Sequence, residues 1–306
     1  MRRLQVVLFY ICIVFFLLIV SKLGESLHLP AFQTKDTLLE EIKANVEKYE
    51  EPPQDAYIDR VWKKTPGRNG LQVRVDESYK AMKKKGKFDP ELLQFKEISP
   101  KISLKDLPAA PIYRGHPEKE MVAFLINVSW GTEHVPTILK TLKEKDVRAT
   151  FFLEGKWAKE NKEYVRMIQE QGHLIGNHAY NHPDMATLSK DEIQKQIEDT
   201  NTIIEAITKE RPLYFAPPSG SFNNLVVQYA HEANMETILW TVDTIDWKNP
   251  SVSVMINRVM KNLHPGAMIL MHPTTPVAQG LEQLIEQIKE KGYRIDTVER
   301  LLDESR

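Results

Sequence analysis

The chain is almost without cysteine. Its one thiol, Cys12, lies in the apolar N-terminal stretch. Neither a disulfide framework nor a cysteine-based zinc centre can therefore be built within it. An excess of either charge is also missing. The 41 basic and 42 acidic residues leave a net charge of −1, so no overall field gathers nucleic acid or anionic lipid. What remains is ordinary globular composition, 42% hydrophobic and 27% charged over 306 residues. That is enough material for one large core or two smaller ones.

The N-terminus carries a targeting signal. Arg2 and Arg3 precede LQVVLFYICIVFFLLIV, an uncharged run from Leu4 to Val20. As a helix this run rises roughly 25 Å, near the lower limit for crossing a bilayer. The following SKLGESLHLP offers no convincing cleavage site, which favours an uncleaved anchor over a cleaved signal peptide. Either way the arginines stay on the cytoplasmic side and the rest of the chain is exported. The expected localisation is a single-pass membrane protein with an extracytoplasmic C-terminal domain, or a secreted protein if the segment is cleaved. A cytoplasmic enzyme does not fit this run.

Residues 22–119 change character. TKDTLLEEIKANVEKYEE has helical spacing and ends at Pro52-Pro53. LQVRVDESYKAMKKKG reads as a short strand plus a helix. ISPKISLKDLPAAPIYRGHPEKE is proline-rich and reads as an extended linker. Residues 30–97 are expected to form a small membrane-proximal module or stalk.

From residue 120 to 303 short apolar runs alternate with amphipathic helices: MVAFLINV, ATFFLEG, HLIGNH, LYFAPPSG, ETILWTVD and AMILMH each precede a helical segment. Repeated β-α units imply a parallel sheet, and seven or eight of them fit a barrel better than an open sheet. Reactive groups in such barrels sit at the C-terminal ends of the strands. Asn127, His178, Ser219, Asp243, Asp246 and His272 all fall there. His178 and His182, four residues apart, suit one metal ion if a tight loop holds them. His272 ends another strand, placed for acid or base work, and Asp246 would raise its pKa and fix its tautomer. His173 is read as a bystander.

These stretches resemble the motifs of the NodB-like polysaccharide deacetylases, carbohydrate esterase family 4. His178-Ala-Tyr-Asn-His182 resembles the second motif, Pro217-Pro218-Ser219-Gly220 the third, Asp246-Trp247 the fourth and Leu270-Met271-His272 the fifth. The match covers about Met121 to Leu302. INVSWG, FAPPSG and the N-terminal run look most like sporulation-associated relatives from spore-forming Gram-positive bacteria. The resemblance implies a distorted (β/α) barrel that hydrolyses acetyl groups on peptidoglycan or a chitin-like glycan. It implies a divalent metal, typically zinc, held by one Asp and two His. Carried over, His178 and His182 would be metal ligands and His272 the general acid tuned by Asp246. The Ser219 N–H would help hold the oxyanion, and Trp247 and Leu270 would line the acetyl pocket.

The departures lie in the first motif. Counting back from Pro136, the family's base and metal-ligand aspartates fall on Asn127 and Val128. The arginine that orients the base falls on Ala216. Asparagine takes no proton as a carboxylate does, and valine ligates no metal. Without the base, a buried arginine would lack its counter-charge, so the three changes are mutually consistent. Asp184 is weighed as a substitute ligand and read as a turn-capping acid. Two functions follow: a metal-dependent envelope-glycan deacetylase, weakened because losing a base typically costs about 10² to 10⁴ in rate, or a glycan-binding pseudoenzyme acting in envelope or spore cortex assembly.

Overall fold

Residues 36–306 are described by the structure, a computed structural model. The Leu4–Val20 run, read above as an anchor or signal, lies outside the described residues. Among the described residues no helix is long and apolar enough to cross a membrane. Contacts divide the chain into two units, one of them containing residues 36–49 and 73–94, the other residues 50–72 and 95–306.

The smaller unit is built on helices α1 (Thr37–Asn45) and α2 (Val75–Met82). Asp36 caps α1 by accepting the Leu39 N–H, satisfying one of its orphan donors. Leu38 and Ile42, one helical turn apart, pack with Val73, Met82 and Leu93.

In the larger unit, β1 (Tyr57–Asp59) and β2 (Lys63–Thr65) pair antiparallel. Short strands β3 (Gly70–Val73) and β4 (Phe95–Ile98) follow. The main sheet contains β5 (Met121–Val128), β6 (Thr150–Leu153), β7 (Leu174–Asn177), β8 (Tyr214–Phe215), β9 (Glu236–Thr237), β10 (Val242–Asp243), β11 (Met268–Met271) and β12 (Arg294–Asp296). Its order is β10-β11-β5-β6-β7-β8-β9, with β12 also beside β5. All these pairings are parallel. Helical crossovers return the chain each time: α3 (Val135–Glu144), α4 (Gly155–Glu160) with α5 (Lys162–Glu170), α6 (Lys190–Thr208), α7 (Asn224–Glu232), α8 (Val252–Asn262) and α9 (Thr275–Glu290). The closing helix is α10 (Val298–Leu302). At α6 a capping box is present, Ser189 and Glu192 exchanging side-chain and backbone bonds.

The sheet separates two cores. Val122, Phe124, Ile126 and Val128 of β5 join Phe151 and Leu153 of β6 in the layer against the helices. Met121, Ala123 and Leu125 join Phe152, Ala216 and Met268 on the inner face. This alternation follows from the two-residue period of a strand. Asn127 shares the inner parity, and Val128 the outer one.

Two expectations change. ETILWTVD is not one strand but β9 and β10 with Ile238–Thr241 between them. Ile112 takes this stretch, its N–H donating to the Thr237 carbonyl and its own carbonyl accepting from Leu239, each at 2.8 Å. The proline-rich segment before residue 120 is correspondingly not a free linker. Ile112 is fully buried on the inner face. Arg114 bridges Ala267, and the buried Lys119 ammonium donates to the carbonyls of Arg300 and Asp303 at 2.8 and 2.6 Å. The segment therefore pairs with the chain just after β9 through Ile112 and just before β11 through Arg114.

Candidate active site at the strand ends

The histidine pair is held by a tight loop after β7. Ala179 (φ 61°) and His182 (φ 55°) are both left-handed, which bends the chain enough to bring the two rings to 5.2 Å at 70°. The loop is anchored by α4, whose Gly155 and Lys156 N–H groups donate to the Ala179 and Tyr180 carbonyls at 2.8 Å. Gly155 permits this approach, since a Cβ there would sit 2.6 Å from Thr200 Oγ1. The His178 Nδ1–H donates to the Ala216 carbonyl at 2.7 Å, leaving Nε2 with the lone pair. Burial, then the neighbouring His182, pushes His178 down to about 3. Burial also lowers His182. Both rings are neutral bases at physiological pH, the form that ligates a cation.

The acid side is assembled around Asp246, which is fully buried. Its Oδ1 accepts the Thr244 hydroxyl at 2.6 Å and faces His272 Nδ1 at 3.1 Å. Its Oδ2 accepts the His272 backbone N–H at 3.1 Å and the Thr274 hydroxyl at 2.8 Å. Burial pushes the carboxyl up, but the His272 bond and charge, with the two threonine bonds, outweigh it and hold the group below its ordinary value. Facing the Asp246 carboxylate, the His272 Nδ1 carries the ring proton. Trp130 stacks on His272, centroids 5.8 Å apart and planes at 11°. Its neighbour Gly131 (φ 75°) lies so close to the next loop that a Cβ would be 1.9 Å from the Pro273 carbonyl oxygen.

The base side differs in kind. Asn127 is 4% exposed and its Oδ1 is buried without a partner. Val128 is fully buried in the apolar layer against the helices, turned away from the histidines by strand alternation. Ala216 lies on the inner face and contributes its carbonyl to His178. Ser219 is exposed and left-handed (φ 55°) in a 3-10 turn, Pro218–Gly220. Trp247 is half exposed, with the Lys248 ammonium 4.9 Å from its ring centroid. Leu270 is buried on β11, one residue beyond Ile269, which sits in the outer layer.

Two other residues take structural roles. His173 precedes β7, at the far end from the mouth; its Nδ1 accepts the Ala149 N–H and burial lowers it to about 4. Asp184 accepts the Ala186 N–H and the Ser221 hydroxyl, which makes it a turn cap. Glu154, directly after β6 and 8% exposed, is an acid that the sequence reading did not single out. Counting alternation one residue past ATFFL would have put it on the inner face.

The donor set does not fit a one-Asp, two-His metal centre. Among the described residues no three His, Cys, Asp or Glu side chains are grouped to hold a metal ion. Two imidazoles are present, and the strand that would carry the carboxylate offers Asn127 and Val128.

The polysaccharide deacetylase family model matches residues 114–238. Over 199 residues the chain is 35% identical to a peptidoglycan-N-acetylglucosamine deacetylase of Bacillus cereus, covering 63% of this chain and 72% of that protein. The chain belongs to the polysaccharide deacetylase family. It is also 50% identical over 273 residues to the uncharacterized protein YlxY of Bacillus subtilis, covering 89% of this chain and 86% of YlxY. The crystal structure of BA3943, a CE4 family pseudoenzyme from Bacillus anthracis, superposes with a TM-score of 0.84 at 53% identity. It covers 88% of this chain and 96% of that one. A BA3943 mutant with restored enzymatic activity matches at the same TM-score.

Proposed function

We propose that this deacetylase-family barrel binds an acetylated glycan of the cell envelope, peptidoglycan or a chitin-like polymer, without hydrolysing it efficiently. The observation that carries the reading is the β5 strand end. Asn127, where a base is needed, has no carboxylate, and Val128, where a ligand is needed, is packed in the outer apolar layer. An amide takes up no proton near neutral pH. The pseudoenzyme description of BA3943 supports the same reading. The barrel would act outside the cytoplasmic membrane, tethered by the Leu4–Val20 run, in wall or spore cortex assembly.

The intact Asp246–His272 pair favours a second reading, slow metal-dependent hydrolysis. Removing a base lowers rates by about 10² to 10⁴ without abolishing them, and two neutral imidazoles still offer a cation, typically zinc, a weakened site.

The test restores Asn127→Asp, Val128→Asp and Ala216→Arg together and measures acetate release from acetylated peptidoglycan with added Zn²⁺. The triple variant is expected to exceed the wild-type chain by at least about 10²-fold. The restored activity of a BA3943 mutant is in keeping with that expectation. A wild-type rate equal to that of the variant would overturn the proposal.

A further inference from the structure

The smaller unit carries its charge unevenly. Residues 80–87 read KAMKKKGK, five lysines with no acid among them. All five are exposed. Helix α2 ends in this stretch. The Lys83 N–H donates to the Tyr79 carbonyl at 2.8 Å and the Gly86 N–H to the Met82 carbonyl at 3.0 Å, with Gly86 left-handed (φ 68°). The helical turn thus runs on past Met82. Lys80, Lys83 and Lys84, three and four residues apart, share one face of it.

A helix C-terminus favours a cation or two, because its last carbonyls are the negative end of the helix dipole. Five lysines exceed that need. Like charges at this spacing repel by about 0.2 to 0.5 kcal/mol per pair, and the protein relieves only part of the repulsion. Asp89 holds Lys85 in an ion pair and also feels the Lys87 charge. Lys83 lies over the Tyr79 ring, 5.8 Å from its centroid, and toward Asp36, whose carboxylate accepts the Tyr79 hydroxyl. At the other end of α2, Glu77 is taken by Arg74. Lys80, Lys84 and Lys87 make no ion pair among the described residues. The apolar side chains of the stretch, Tyr79, Met82 and Phe88, pack in the core of the unit, so the surface meets a partner by charge alone.

We infer that this lysine turn docks the smaller unit on an anionic bilayer, its ammonium groups lying against phosphate-bearing lipid headgroups. The inference rests on the membrane tether proposed above and goes beyond it to a surface of the folded chain. Charge complementarity gives the class of partner, and chain length gives its source. Only residues 21–35 lie between the Leu4–Val20 run and Asp36, the cap of α1. Fully extended, they reach about 50 Å. The tether therefore keeps the turn close to a bilayer, at high effective concentration. A polyanion of the wall is not tied to the chain in this way. Each lysine at an anionic surface contributes about 1 kcal/mol, and salt screens it.

The experiment reconstitutes the full-length chain into vesicles of phosphatidylcholine, alone or with about 30% phosphatidylglycerol. Acylation of individual lysines is followed by mass spectrometry. Lys80, Lys84 and Lys87 are expected to react at least about threefold more slowly on the anionic vesicles. Lys140 and Lys195 of the larger unit, also exposed, should keep their rates. Salt at about 0.5 M should return the three lysines to their rates on neutral vesicles. Lys84→Gln combined with Lys87→Gln changes two exposed side chains, so the fold is kept. This double variant should lose roughly half or more of the protection at Lys80 and Lys83. Equal rates on the two vesicle types, the same slowing at Lys140, or protection that appears only when purified cell wall is added would overturn the inference. A chain that an alkaline wash strips from neutral vesicles would instead overturn the tether reading beneath it.

Discussion

At the scale of single residues, the Asp246 carboxylate carries the most bonds in the site. Four donors converge on it inside the protein. Asp246→Ala leaves these groups without an acceptor, so the variant should lose about 3 to 5 kcal/mol, the range for breaking a buried charged network. Urea denaturation measures this directly. His173 makes a second prediction. Its native pKa of about 4 lies below the unfolded value of about 6.5, so the unfolded chain takes up the proton first. Stability is therefore full near neutrality and declines as pH falls from about 6.5 toward 4. His173→Asn should flatten that decline by up to about 3 kcal/mol in denaturation midpoints followed across this range; an unchanged slope would contradict the assignment. Much of the residue-level site was legible in the sequence. His178, His182, Asp246 and His272 stand at strand ends, where alternation and turn position are local properties. Glu154 was not, because an acid opening a helix reads as an ordinary first-turn residue until the sheet register shows which face it occupies.

At the scale of elements, the loop after β5 is fastened to the loop after β11. Gly131 lies against the Pro273 carbonyl, and His134 Nε2 meets the Thr275 hydroxyl at 3.3 Å. This contact sets Trp130 parallel to His272. Gly131→Ala adds a Cβ where there is no room, at a left-handed φ, and should cost about 2 to 4 kcal/mol. It should also part the Trp130–His272 stack, read as a change in tryptophan emission. Helices were the most legible elements, since a stripe such as Ile138, Leu139 and Leu142 is written in local periodicity. The break of ETILWTVD into β9 and β10 was not. It depends on Ile112, a residue remote in sequence whose backbone pairs with this stretch.

At the scale of the whole larger unit, the segment before the first main strand is part of the barrel. Ile112 fills the inner core, and the buried Lys64 pairs with Glu236 at 2.6 Å. Prolines made this segment read as a linker because they remove N–H donors from a strand, but packing needs no regular ladder. Ile112→Ala should lower stability by about 2 to 5 kcal/mol, measured as a shift in thermal midpoint. A fragment beginning at residue 120 should be less stable than one beginning at residue 50. The family architecture survives in this unit, with the acid pair and the histidine loop in place and the base strand altered. Acetate release by the full-length wild-type chain from acetylated peptidoglycan with saturating Zn²⁺ decides between binding and hydrolysis. The predicted result is a rate lower than that of the triple-restored variant by about 10²-fold or more. Wild-type turnover as fast as the restored variant, abolished by His272→Ala, would contradict it.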